Sequence, residues 1–165
     1  MSATGSFYFY VGAGSTQETN VTSCNFGTLD AGSMAVSNAT AITAGSNSYE
    51  KFMKVWFGGT FNYVGSLYWW KSGGTYVTNE LIYCTDSGTT APAYATPVIT
   101  NSTICTGSIY ATQPATMNVH VMSSVIGSLT AAGSSNYIVM QTRTASDTPP
   151  GNTNSKTFKL QWTEA

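Results

Sequence analysis

His120 is the single histidine, and it alternates with Val119 and Val121. An imidazole works as a general base when one ring nitrogen meets a nucleophile or substrate proton and a second group orients the ring. No local pattern supplies these partners: GxSxG, HExxH and the phosphate-loop signature are missing. His120 therefore reads as an ordinary strand histidine. The carboxylates Glu18, Asp30, Glu50, Glu80, Asp86, Asp147 and Glu164 are scattered singly along the chain. Glycoside hydrolysis needs two facing carboxyls roughly 5–9 Å apart. Only convergence in space, for example of Glu50 and Glu80 on adjacent strands, could provide them. Calcium loops of the DxDxDG kind are absent, and Asp86–Ser87–Gly88 reads as a turn. The three cysteines, Cys24, Cys84 and Cys105, are odd in number and form no CxxC pair. That argues against a disulfide framework and a zinc site, and for small buried residues in a reducing compartment. The expectation is a protein without catalytic residues, metal or cofactor.

Binding chemistry has more to work with. Tyr68, Trp69 and Trp70 are consecutive, so in a strand they cannot all face one side. An outward aromatic can anchor an interface or stack on a sugar. These three are the candidate interface or glycan-stacking residues, against the alternative that two layers bury both faces. Glu50, Lys51 and Lys54 form the densest charge cluster. Salt bridging across or along a strand edge is the simplest account, with steering of a partner as the functional one. The N-x-[ST] matches at Asn20, Asn38 and Asn101 are expected by chance in so Thr-rich a chain.

The elements that must position these groups read as strands. The chain has 26 Thr, 20 Ser, 16 Gly, 11 Asn and only 5 Leu. Thr and aromatics suit pleated strands, and Gly, Asn and Ser suit turns. Strands are expected at Phe7–Val11, Asn25–Leu29, Ala35–Thr43, Tyr76–Cys84, Thr96–Ile99, Asn136–Thr144 and Lys156–Glu164, with a weaker one at Met117–Met122. Ile104–Tyr110 is ambiguous, and Ser123–Ser135 reads as a flexible run of small residues. Ser48–Phe57 also fits helical spacing through Tyr49, Phe52, Met53 and Trp56, but strand is the preferred reading. It is expected to form a hairpin with Thr60–Trp70 about the Gly58–Gly59 break. The last strand alternates most cleanly, with Phe158, Leu160 and Trp162 on one face. It is expected beside Asn136–Thr144, across the loop holding Pro149–Pro150–Gly151. The sum is one all-β domain over residues 1–165: an antiparallel β-sandwich of about 8–10 short strands, with a jelly roll among its arrangements.

Only 8% of residues are charged, 6 basic and 7 acidic, against about 25% in an average soluble domain. With 42% apolar residues the chain still has a core to bury. No basic stripe is present to neutralise phosphates, which argues against nucleic acid as a partner. A net charge of −1 opposes self-association weakly. The apolar run Phe7–Val11 is far short of the ~20 residues of a membrane span, so no membrane partner is expected. Met1–Gly14 lacks the basic and long apolar regions of a secretory signal. Either the protein is made in the cytoplasm or a leader has been removed.

Two stretches carry a resemblance. One is Asn47–Phe61 (NSYEKFMKVWFGGTF), leading into Tyr68–Gly73 (YWWKSG). The other is Asn136–Glu164, with its YIV-Q strand, PG loop and closing K-T-F strand. Together they resemble small β-sandwich virion proteins of tailed phages and related environmental viruses. The resemblance implies a virion location after assembly in the host cytoplasm. It also implies a role as capsid decoration (cement) protein or minor tail component, with copies of itself and the major capsid protein or other virion proteins as partners. The carbohydrate- or receptor-binding domain of a tail fibre is the alternative.

Overall fold

The structure is a computed structural model that describes residues 2–18, 23–32, 40–85, 92–121, 128–151 and 154–165. Its strands are β1 (Ser2–Val11), β2 (Thr16–Glu18), β3 (Lys51–Thr60), β4 (Val64–Gly73), β5 (Glu80–Cys84), β6 (Gly107–Ser108), β7 (Gly133–Ser134), β8 (Ile138–Thr144) and β9 (Thr157–Glu164). The chain is all-β, and every strand pair is antiparallel. The large sheet runs β2-β1-β3-β8-β5-β6, with β7 sharing the β8 edge of β3, and the second sheet is β4-β9. Single bridges extend the second sheet along β4, from Val64 to Leu129 and from Leu67 to Val119.

The two layers close over one core. Met53, Val55 and Phe57 of β3 point inward with Phe9, Ile82, Ile138 and Met140, and meet Val64, Leu67 and Trp69 of β4. The even positions of β3 face the other way. Period-two alternation thus accounts for SYEKFMKVWF better than helical spacing does. β9 supplies Phe158, Leu160 and Trp162 to the core's rim, each only half-buried. Phe158 stacks on Trp69 with centroids 5.5 Å apart and planes at 11°. Trp162 meets Phe57 edge-on at 5.3 Å.

A smaller core forms on the outer face of the large sheet. Phe52 and Val139, both at 0% exposure, are covered by the segment through Tyr94, Ile104 and Cys105. Polar side chains hold this cover down. The buried Gln141 amide donates to Ser48 O (3.0 Å) and Thr100 O (2.8 Å), and its carbonyl accepts from Ser102 N (3.2 Å). Arg143 donates to Cys105 O at 3.0 Å and lies 3.9 Å over the Tyr83 ring. The Glu50 carboxylate accepts from Val98 N at 3.1 Å.

Several expectations need correction. Ser48–Phe57 and Thr60–Trp70 do not pair as a hairpin. β3 runs on through Gly58–Gly59, and β4 crosses to the opposite sheet. Gly59 adopts φ +92 inside the strand, where a Cβ would lie 2.6 Å from Ser2 O. It is glycine because β1 passes so close, not because the chain turns there. β8 and β9 are not neighbours either: β8 lies between β3 and β5, while β9 pairs with β4. Their loop changes layer, which a sequence distance cannot reveal. Asn25–Leu29 and Thr96–Ile99 are irregular, and Tyr76–Cys84 is a strand only from Glu80. Parts of Ala35–Thr43, Met117–Met122 and Ser123–Ser135 lie outside the described residues. So do Asp86–Ser87–Gly88 and the sequons at Asn20 and Asn38.

Candidate functional site

The groups that could do chemistry are placed apart. Glu80 is buried and receives Lys156 Nζ at 2.6 Å on both carboxylate oxygens, with Val77 N at 3.0 Å. Glu50 is committed to Val98. His120 lies on the bridge-forming segment beside Val121, 3% exposed, and burial lowers its pKa from the ordinary imidazole value. Among the described residues, no hydrogen bond or ion pair joins any two of Glu50, Glu80 and His120. The same residues hold no group of three His, Cys, Asp or Glu fit to bind a metal. Burial pushes the thiols of Cys24 and Cys105 up to about 12, leaving them protonated and unreactive at neutral pH.

The charge cluster is not a set of salt bridges. Lys51 has the inward parity of β3 and is 2% exposed. Its ammonium donates to Leu29 O at 3.1 Å and to Ala31 O, pinning the loop through Leu29 and Ala31 against β3. Desolvation lowers its pKa, opposed by Cys24, Asp30 and Glu18. Glu18 in turn accepts from Gly32 N at 2.8 Å. A Cβ on Gly32 would sit 2.6 Å from Phe9 Cβ, so only glycine lets the loop come this near. Among the described residues the one ion pair is Lys156–Glu80. The sequence spacing of Glu50, Lys51 and Lys54 hid three separate destinations: the outer cover, the Leu29–Ala31 loop and the open sheet face.

Of the three consecutive aromatics, Tyr68 is half-buried, and Trp69 and Trp70 are not an open platform. Trp69 is 4% exposed, between Phe158 and Phe7, and Trp70 is 6% exposed, with the Lys159 ammonium 5.5 Å from its ring. Neither indole has a free face for a sugar or a second protein. A register shift between Gly65 and Tyr68, with Ser66 at φ +49, accompanies this double-sided burial.

The open aromatic surface is elsewhere. Where the outer cover ends, the even positions of β3 emerge as Lys54 and Trp56, and Trp56 is 43% exposed. Tyr8, Tyr10, Gln17, Lys54, Trp56 and Ser134 line a depression of about 310 Å³. On the other side of the same Lys54 and Trp56, residues 128–134 line a second one of about 450 Å³. Together they make a shallow trough across β2, β1, β3 and β7. The Lys54 ammonium stands 4.3 Å from the Tyr137 ring centroid and 5.9 Å from that of Tyr10. Partial burial lowers its pKa. Sequence reasoning passed over this site. The signal was there in the shared parity of Lys54 and Trp56, but parity does not say which face stays uncovered.

A second surface feature is a pair of strand edges that, among the described residues, have no neighbouring strand along most of their length. β2 reaches only Phe9–Val11 of β1, so among the described residues no strand lines the outer edge of Ser2–Tyr8. Among the described residues β9 pairs with β4 alone. The two edges meet at Glu164, which accepts from Ala3 N at 3.0 Å and from Trp162 Nε1 at 3.2 Å. The Ala3 hydrogen bond, then that of Trp162, holds its carboxyl below the usual range.

Comparison with models of protein families, with curated proteins and with solved structures finds no match to this chain.

Proposed function

We propose that this chain is a non-enzymatic structural module of a virus particle, a capsid decoration protein that bridges capsomers and works as an oligomer. The observation that carries the reading is the edge of β1, where among the described residues no strand lines Ser2–Tyr8 and the Glu164 carboxylate takes the Ala3 amide. Natural sheets commonly blunt an edge with charge, proline or a bulge. Here Ser2–Gln17 contains no charged residue and no proline. Such an edge is a template for strand addition by a neighbouring copy or another virion protein. The low charge and the resemblance to phage β-sandwich proteins support the same reading, and many modest contacts on a lattice gain strength by multivalency.

Light scattering on the purified chain tests the assembly half. The expected mass is a multiple of 17.4 kDa, returned to the monomer by Thr4→Lys, which places a charge on the β1 edge. Co-sedimentation with virus particles tests the other half. A chain that stays monomeric and never associates with particles would sink the proposal. A second reading, a glycan- or receptor-binding domain of a tail fibre, draws on the exposed Trp56 trough instead.

A further inference from the structure

The trough astride Trp56 has three properties that together define a ligand class. Its floor is aromatic, from Trp56, Tyr8 and Tyr10. Its one charged lining group is Lys54, which has no carboxylate partner among the described residues and whose ammonium lies over the Tyr137 and Tyr10 rings. Its remaining polar groups include the Gln17 amide and the Ser134 hydroxyl, which have no hydrogen-bond partner among the described residues. Lys54 and Trp56 are two residues apart on one face, about 6.6 Å along the strand. The depressions on either side let an extended chain molecule continue past them.

We infer that this trough binds an acidic oligosaccharide, with one sugar ring stacked on Trp56 and the carboxylate of an adjoining acidic sugar held by Lys54. The ring's apolar C–H face suits an indole. The carboxylate gives the Lys54 ammonium the oxygen acceptor that its own chain does not provide, and a charge-assisted hydrogen bond is stronger than a neutral one. The partial burial of Lys54 raises the gain, since an anion compensates a desolvated cation. A protein partner fits less well, because Lys is depleted from interface cores. Single-stranded nucleic acid also stacks on aromatic rings, but it brings a phosphate at every step. One lysine on a chain of net charge −1 does not match that.

The inference supplies a ligand for the second functional reading and rests on it, while the strand edges and their assembly role stand apart. The test is titration of the full chain with oligogalacturonate, with its neutral galactose counterpart and with a short single-stranded DNA, followed by Trp fluorescence and calorimetry. The expected result is saturable binding of oligogalacturonate that weakens as salt rises, with the neutral sugar much weaker. Lys54→Met should reduce affinity on the order of ten- to a hundredfold, the span of one charge-assisted hydrogen bond, and Trp56→Ala should cost about tenfold or more through the lost stacking face. Lys54→Arg should restore much of it, and melting curves should show all three variants folded. Equal binding of the neutral sugar, or an unchanged Lys54→Met, would overturn the acidic ligand and leave a neutral-glycan site standing. Preference for the DNA, or no binding of either sugar by the wild-type chain, would remove the glycan reading as a whole.

Discussion

Polar residues here act mainly as internal fasteners. Lys51, Glu50, Gln141 and Arg143 each hold an irregular segment against a strand, through backbone carbonyls and amides as much as side chains. A buried polar group is tolerated when it is hydrogen-bonded, and Lys51 meets that condition with carbonyl acceptors. His120 departs from it: among the described residues its Nδ1 is buried without a partner. With burial lowering its pKa, the folded protein prefers the neutral ring. The unfolded chain takes up its proton first, near the ordinary pKa of about 6.5. Stability should therefore fall as pH drops through that value, and level off below the depressed folded pKa. Urea unfolding between pH 8 and 5 checks this, and His120→Leu should flatten the slope. A native slope unchanged by His120→Leu would refute the assignment.

Among the strands, β4 carries the heaviest demand, because it is covered on both faces. Part of its edge is completed by a side chain rather than a strand. Asn118 Oδ1 accepts from Trp69 N and its Nδ2 donates to Trp69 O, both at 2.8 Å. An amide has the donor and acceptor needed to stand in for one residue of a ladder. Asn118→Leu should cost about 1–3 kcal/mol for each backbone group left unpaired. Asn118→Asp, which keeps the acceptor but sets a buried carboxylate against the Trp69 carbonyl, should cost at least as much. Equal stability of Asn118→Leu and the native chain by denaturant titration would show that the pair is replaceable by water. Strand identity was largely legible: β8 and β9 lie where alternation put them, and β3 is a strand despite its helical spacing. Pairing was not, because a tight turn and a crossing between layers leave the same small, polar residues in sequence.

At the scale of the molecule, apolar burial joins the two sheets, and among the described residues so do the Ala3–Glu164 hydrogen bond and one ion pair. Glu80 belongs to the large sheet, and Lys156 precedes β9 of the small one; their side chains are 2% and 6% exposed. Removing one member leaves a buried charge without its partner, a loss of about 3–5 kcal/mol. Glu80→Gln should lower stability by that order. The double variant Glu80→Met with Lys156→Met should recover most of it, since hydrophobic replacement of a buried pair is often neutral or better. Chemical denaturation of the three chains decides the matter, and a mild Glu80→Gln would show the pair to be incidental.

The residue types and their period-two alternation determined the class of this protein: all-β, antiparallel, one sandwich, sparing in charge. These features are local, since alternation and turn chemistry act over a few residues. What the alternation could not specify is which outward face is later covered. Phe52 and Trp56 share a face of β3, yet the segment through Tyr94 and Cys105 seals one and leaves the other open. Trp69 and Trp70 were the natural candidates for exposure, and the fold closes over both. Burial on an outer face depends on where a distant segment docks, and that docking is fixed by single polar tethers such as Gln141 and Glu50. Only the tertiary structure brings those tethers and their targets together, and so only it decides that the open aromatic surface is at Trp56.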